Sequence, residues 1–364
     1  MSFRVFTVTG ATPHELGVSH GTQLRPLIHK TYNFYSTWWL ILGISDGMLR
    51  QYGADFQALL ENYAGGKYAA EIAGIAQGSE LPLYQIHCLN ARTEIVNKQT
   101  FNRGHEGPNE CTTLSVPQCD ILAETWDWAE EAGSYTQVMK LERPDNQTSD
   151  IAMIVEPGII AKIGVNAAGV GVALNLLAPS RGPADGESFV GVPVHVLLRV
   201  ILDAPDLPAA IAAVTDAPKG WATTSVLHVA ACGRSAVIEL TGGGCIVAYS
   251  DAVVLLRTNH FVVGVSEEDW KGSPSSLSRY ARAREIIKGW PGDARGAVTM
   301  TTVRSLLDDR FGSLPILREF KPDVKLGMNA GTITRIHLDL KEKVMYYTPG
   351  SPVDFPEYNS LSAV

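Results

Sequence analysis

The hydrophobic pattern of this 364-residue chain changes its period once, and that change confines what it can fold into. Up to about residue 95, apolar side chains recur at helical spacing. They run through Leu24, Leu27, Ile28 and Tyr32, then Phe56, Leu59, Leu60 and Tyr63, then Ala70, Ile72, Ile75 and Ala76. Pro13 and Glu15 behind Thr12 suit a first helical turn. Proline gives up no needed N–H there, and the carboxylate meets the positive end of the helix dipole. Gly78 reads as the stop of the third stripe. The stretch 97–110 is polar, with Gly104, Gly107 and Pro108, and reads as an exposed loop.

After that stretch the spacing becomes that of strands. Residues 112–116 and 121–126, with a turn at 117–120, form a candidate hairpin. Strand-like runs follow at 135–141, 151–155, 161–165 and 169–175. Two helices fit 193–202 and 207–215, and strands return at 224–230, 236–240, 245–249 and 252–256. Helices at 275–288 and 303–309 precede a closing hairpin, 332–340 with 343–348. The layout predicts an α+β fold in which two stacked sheets carry helices on their outer faces. The helical segment 1–110 and the strand-rich segment 111–364 are expected to form one domain together.

Composition removes several functional classes. The net charge of −8 is spread out, with no Lys/Arg cluster, which argues against a nucleic-acid partner. No run of about 18 uncharged apolar residues exists, so no membrane span is expected. The N-terminus lacks the pattern of a secretory signal, and Ser362-Ala363-Val364 is not a peroxisomal address, so a cytoplasmic protein is expected. Five cysteines without a Cys-x-x-Cys pair, and nine histidines without a His-x-x-x-His pair, predict neither a disulfide framework nor a metal site. No cofactor is expected. Four of the five cysteines read as small buried hydrophobes. The sequon Asn146-Gln147-Thr148 carries little weight without a signal, and Gly242-Gly243-Gly244 reads as a tight turn between strands.

Cys111 is the cysteine whose position suggests chemistry. It follows the polar loop, stands at the first residue of a strand, and has Glu110 before it. A thiol there can attack the preceding carbonyl, shift the chain to a thioester and, after hydrolysis, become a free N-terminus. Its own α-amine, with a pKa of about 7.7–8.0, then serves as the base. The competing reading of Cys111 is a buried structural cysteine.

Cys111-Thr112-Thr113 and the hairpin into Thr125-Trp126-Asp127-Trp128 resemble the acyl-coenzyme A:6-aminopenicillanate acyltransferase family, the C45 group of cysteine-type N-terminal nucleophile hydrolases. Further stretches are similar to that family in the same order: 10–21, 71–80, Leu89 to Glu94, 158–172, Gly191-Val192-Pro193 with His195 and Arg199, and Thr258-Asn259-His260. The resemblance implies a four-layer αββα sandwich and self-cleavage between Glu110 and Cys111 into two chains that stay together. It also implies hydrolysis or transfer of the acyl group of a small amide through a Cys111 thioester, with an acyl-coenzyme A among the donors it allows.

Position by position, Asn259 would donate to the oxyanion and Asp127 would orient the cysteine's amine or thiol. Arg318 would hold a substrate carboxylate, and Thr241 stands where the family has a serine in its substrate site. Read locally, the competing readings are a turn residue for Asn259, a carboxylate capping backbone groups for Asp127, and half of a surface ion pair for Arg318. The two flanking tryptophans should raise the Asp127 pKa unless a cation or donors hold it. The chain departs from the family's best-known member at Glu110, where that member has a glycine, and from the family pattern at Thr125, where an asparagine stands before Trp-Asp. A plain hydrolase of N-acyl amino acid or peptide-like conjugates is the alternative activity. A non-catalytic binding relative is the alternative of another class, and retention of Cys111, Asp127 and Asn259 argues against it.

Overall fold

The computed structural model describes residues 2–102, 111–144, 149–177, 191–217, 220, 222, 224–241, 244–251, 254–263, 272–291, 297–323 and 327–364. Glu110, the sequon at 146–148 and Gly242-Gly243 therefore lie outside the described residues.

Helix α1 (Pro13–Ile41) starts where the sequence placed it. The Thr12 hydroxyl accepts from the Glu15 N–H at 3.2 Å while the Glu15 carboxylate accepts from the Thr12 N–H at 3.0 Å. This reciprocal cap satisfies two donors that no helix turn can reach. Helices α2 (Asp46–Glu61), α3 (Lys67–Ser79), α4 (Leu83–Asn90) and α5 (Arg92–Asn102) complete the helical segment.

Gly78 does not end α3. It lies within the helix, where a Cβ would stand 2.5 Å from the Val18 carbonyl, and the chain leaves the helix at Glu80, with φ 59°. Gly17 of α1 faces α3 in the same way, since a Cβ there would meet the Glu71 carbonyl at 2.0 Å. The two helices thus touch backbone to backbone, and the stretches 10–21 and 71–80 are the two sides of one contact.

Of the exposed loop expected at 97–110, residues 103–110 lie outside the described residues, and the part before them is helical. Residues 97–102 belong to α5, and Asn97 and Lys98 are buried. The Lys98 ammonium lies over the Tyr52 ring at 5.3 Å. A strand that helical spacing did not separate, β1 (Val5–Thr9), precedes α1. It pairs in parallel with β4 (Gln137–Glu142), Val5 beside Val138.

Beyond Cys111 the strands form two sheets. The first runs in the order β1, β4, β5 (Ile151–Val155), β6 (Ile163–Asn166), β7 (Gly171–Leu176), β8 (Ser225–Ala231), β9 (Arg234–Thr241), β10 (Gly244–Ser250). The second has β2 (Thr112–Val116) and β3 (Ile121–Ala129) between an edge strand, β11 (Leu255–Arg257), and β13 (Met328–Asp339). Beyond β13 come β14 (Val344–Tyr347) and β15 (Asn359–Ser362), with β12 (Lys321–Asp323) also paired to β13. Helices α6 (Val194–Leu202) and α7 (Leu207–Thr215) cover the first sheet. Helices α8 (Pro274–Lys288) and α9 (Met300–Leu307) cover the second, while β2 and β3 meet β7 and β8 between the sheets. The order is helix, sheet, sheet, helix, as expected.

Strand alternation now assigns faces. Leu114, Val116, Ile121 and Ala123 pack with Val303 and Leu306 in the core beneath α8 and α9. Leu122, Trp126 and Trp128 belong instead to the core between the sheets. Cys111, Thr113, Ser115 and Glu124 therefore point between the sheets, and Thr112 and Asp127 point toward α8. Ser115 confirms the assignment, because its hydroxyl meets His228 of β8 at 2.8 Å.

The cysteine expectation needs correcting. Of the four besides Cys111, only Cys88 is buried; Cys119 and Cys245 are half-buried and Cys232 is exposed. Those three occupy turns and the end strand β10, where Cys119 and Cys245 pack only against the margins of the cores. None of the five is in a disulfide.

Candidate active site

Cys111 sits where β2 enters the space between the sheets, and its main chain is held from three sides. Its N–H donates to Asn259 Oδ1 at 2.9 Å. Its carbonyl accepts from Arg279 Nη1 at 2.6 Å and from Asn175 Nδ2 at 3.2 Å. Arg279 belongs to α8 and is wholly buried; it also donates to Thr112 Oγ1 and, through Nη2, to Asn259 Oδ1, both at 2.8 Å.

Asn259 follows β11 by two residues and is fixed by complementary partners. Its oxygen faces two donors, and its Nδ2 donates to the Leu176 carbonyl at 2.8 Å. Its own N–H donates to Ser276 Oγ at 2.8 Å. One Nδ2 hydrogen remains beyond the bond to Leu176.

The thiol looks the other way, into the layer between the sheets. The Glu124 carboxyl and the backbone N–H of Asp127 face it. Burial, followed by the Glu124 and Asp127 charges, pushes the Cys111 thiol well above its usual pKa. A neutral thiol is a weak nucleophile, so this one needs a base. Burial also pushes Glu124 up to about 8, although the Leu174 N–H, the thiol and Lys162 all pull it down. Asp127 is likewise pushed by burial to about 8, against the pull of Arg279 and the Thr332 hydroxyl. Its side chain lies on the α8 face, so the sulfur meets its main chain rather than its carboxylate.

A buried ion cluster supports this layer from behind. Glu156 accepts from Arg92 Nη2 at 2.5 Å, Lys162 Nζ at 2.7 Å and the Tyr35 hydroxyl at 2.6 Å. Lys162 also stands 3.5 Å from the centre of the Trp126 ring. The stretches 89–94 and 158–172 meet here. Asn90 takes the Ile160 N–H and donates to the Gly158 carbonyl, both at 2.9 Å. Gly158 has φ 94°, a conformation that favours glycine.

The two remaining sequence candidates lie apart from this centre. Arg318 is half-buried, and its main chain pairs with Thr332, the residue opposite Asp127 on β13. Its guanidinium is drawn toward Asp323, while burial lowers its pKa. Thr241 ends β9, two strands from β7, and its hydroxyl donates to the Gly244 carbonyl at 2.6 Å. Neither side chain contacts Cys111 through the described hydrogen bonds. Glu124, Arg279, Asn175 and Lys162 were not singled out by sequence. Glu124 alone left a signal, an acidic residue at an inward position of a strand otherwise apolar on that face.

Among the described residues no group of side chains has the arrangement of a metal site, and no helix is long and apolar enough to cross a membrane.

Several known proteins are similar to the chain. It is 26% identical over 353 residues to the acyl-coenzyme A:6-aminopenicillanic-acid-acyltransferase 40 kDa form of Emericella nidulans, covering 94% of this chain and 92% of that one. Among solved structures it is similar to penicillin V acylase from Agrobacterium tumefaciens, with TM-score 0.48, 16% identity, and 66% of this chain against 82% of that one. A mutant of conjugated bile acid hydrolase from Clostridium perfringens gives TM-score 0.48 and 16% identity, over 69% and 92% of the two chains. The pattern of one family matches residues 115–354, a span that takes in Asp127, Thr241, Asn259 and Arg318. The chain belongs to the acyl-coenzyme A:6-aminopenicillanic acid acyl-transferase family.

Proposed function

We propose that the chain cuts itself between Glu110 and Cys111 and then uses Cys111 to take the acyl group from a small amide as a thioester. The observation that carries this reading is the hold on Cys111: its nitrogen on Asn259, its carbonyl on Arg279, and its thiol buried between the sheets and facing Glu124. After the cut that nitrogen is an amine beside the thiol and takes its proton. Asn259 accepts from the amine and offers its second Nδ2 hydrogen to the oxyanion, joined by a backbone amide. Asp127 orients the cysteine's amine or thiol, and its charge lies near Arg279, whose guanidinium binds the Cys111 carbonyl.

Arg318 and Thr241 serve the substrate beyond the reacting atoms, Arg318 by pairing with a carboxylate. The chains 1–110 and 111–364 stay together as a heterodimer, because the first supplies α1 to α5 and the Arg92 half of the buried ion cluster. The name of the Emericella relative supports an acyl-coenzyme A as donor and a small amine as acceptor. No cofactor enters the chemistry, and the enzyme acts in the cytoplasm.

Intact-mass measurement tests the first step: the purified protein should contain 1–110 and 111–364, with Cys111 as the new N-terminus. Such protein should hydrolyse a small amide in simple buffer and yield the acylated amine when an amine acceptor is added. A full-length chain that is nonetheless active would refute the mechanism. Hydrolysis without any acylated amine would make the protein an amidase.

Asn259→Ala should lower turnover per folded, cleaved molecule by about 10²–10³, the effect of one lost oxyanion donor. The melting temperature should fall too, because alanine leaves the Cys111 N–H, Arg279 and the Leu176 carbonyl short of a partner, so turnover is counted per folded molecule. A large fall in melting temperature with turnover unchanged would instead make Asn259 a structural turn residue.

A further inference from the structure

The α-amine cannot start the chemistry that creates it. Before the cut, the Cys111 nitrogen is an amide whose N–H already donates to Asn259 Oδ1, and an amide nitrogen has no basicity near neutral pH. Some side chain must therefore take the thiol proton in the first self-cleavage step.

Two carboxyls are near, and they lie on opposite faces of β3. Asp127 points toward α8, away from the sulfur. The Arg279 charge and Thr332 pull its pKa down there, and neither of its oxygens has a hydrogen-bond partner among the described residues. Glu124 points between the sheets, as Cys111 does, beside Thr113 in the β2–β3 register. It is wholly buried. One oxygen accepts from the Leu174 N–H of β7 at 3.2 Å, and the other meets no nitrogen or hydroxyl donor among the described residues. The group that faces this carboxyl beside Leu174 is the Cys111 thiol.

We infer that Glu124 is the catalytic base of self-cleavage, the group that carries the Cys111 proton from sulfur to nitrogen. This inference rests on the self-processing reading above. In the step, the Glu124 carboxylate takes the thiol proton as sulfur bonds to the carbonyl carbon of residue 110. The tetrahedral adduct then collapses, the C–N bond breaks, and Glu124 returns the proton to the departing nitrogen. The products are a thioester on Cys111 sulfur and a free α-amine. Water hydrolyses the thioester, leaving the thiol and a carboxylate on residue 110. Once the amine exists it lies beside the thiol, and the proton acceptor for turnover changes from Glu124 to the amine.

The charge around Glu124 sets a pH dependence. Lys162 faces it from the approach to β6, Cys111 from β2, the Leu174 N–H from β7, and Asp127 shares its strand. Burial dominates and places its pKa at about 8. A base acts when deprotonated, so the cleavage rate should rise as pH increases through about 8.

The test follows cleavage by intact mass from the moment of synthesis in a cell-free system, between pH 6 and 9, in the wild type, Glu124→Gln, Glu124→Asp and Cys111→Ala. Glu124→Gln should fold, melting near the uncut Cys111→Ala chain, yet cleave at least about 10² more slowly. Its residual rate should be flat where the wild-type rate rises. Glu124→Asp should recover part of the rate. Hydroxylamine, which opens thioesters, should not rescue Glu124→Gln, because no thioester has formed.

Wild-type cleavage in Glu124→Gln, or full rescue by hydroxylamine, overturns the assignment while self-processing stands. A wild-type chain that stays intact overturns both. Should Glu124→Gln not fold, Glu124→Asp decides: an unchanged rate and pH profile excludes this base, and a slower rate with a shifted profile supports it.

Discussion

Cys111→Ala should leave a single uncut chain of 364 residues with no detectable turnover, the largest functional effect of any one substitution here. The expectation is specific, because alanine removes only the sulfur. The Cys111 N–H to Asn259 and the Cys111 carbonyl to Arg279 are main-chain bonds and survive the change. The side chain is buried, and losing one sulfur atom costs about as much as deleting a methylene or two, roughly 1–2 kcal/mol. A folded, silent chain is therefore expected, and circular dichroism with intact mass would establish both properties. Cys111→Ser gives the graded control. Its hydroxyl can form an ester by the same shift but is harder to ionise, so slow cleavage is expected. Normal cleavage in the alanine variant would mean that another group or a contaminating protease makes the cut, and Cys111 would lose its role in maturation.

The parts of this fold that sequence made legible are those determined by neighbours in the chain. The cap at Thr12 and Glu15 needs only four consecutive residues, and the hairpin of β2 and β3 needs only a turn between alternating runs. Cys111, Asp127 and Asn259 were found through local motifs of the family, and the fold brings all three to one place.

What sequence hid depends on distant partners. β1 has only five residues, and its partner β4 lies far along the chain, so no local period distinguishes it. Lys98 looked like a loop residue because its surroundings in the chain are polar, and its contact with the Tyr52 ring, distant in sequence, could not be read there. Arg279 stands in a helix otherwise rich in charge, and nothing nearby in the chain sets it apart from Arg282 or Arg284. Its meaning lies in the approach of α8 to Cys111. Glu124 was hidden by a different cause. A carboxyl on an inward strand position conflicts with the hydrophobic pattern, and such a conflict marks a site only after the facing thiol is known.

Glu156→Gln should be the most destabilising conservative change in the chain, by about 3–5 kcal/mol. Glutamine keeps the shape of the side chain and one acceptor, so the cavity term is nearly zero. What it removes is the one anion that Arg92 and Lys162 share, leaving two buried cations beside each other. Burial by itself raises the pKa of the Glu156 carboxyl, yet Arg92, Lys162 and the Tyr35 hydroxyl outweigh it and hold the group well below the usual carboxylate range. Its folded pKa being depressed, the wild-type contribution is complete above the unfolded value near 4.3. It fades only as pH falls toward the much lower folded value.

Lys162 gives the variant a pH signature. Burial lowers its pKa to about 8 even with Glu156 beside it, and without Glu156 the folded value must fall further. Between that value and the unfolded one near 10.4, the unfolded chain binds more protons, so stability rises with pH. The deficit of Glu156→Gln against wild type should therefore shrink between pH 6 and pH 8, as Lys162 sheds its proton in the variant but not yet in the wild type. Arg92 cannot follow, because its guanidinium stays charged, and part of the deficit should persist. Urea unfolding at several pH values would measure this directly. A deficit that is large but independent of pH would assign the loss to packing around Tyr35 and Trp128. No deficit at all would mean that the two cations are stabilised by the rings they face, Trp126 under Lys162 at 3.5 Å and Tyr35 under Arg92 at 5.0 Å, rather than by the carboxylate between them.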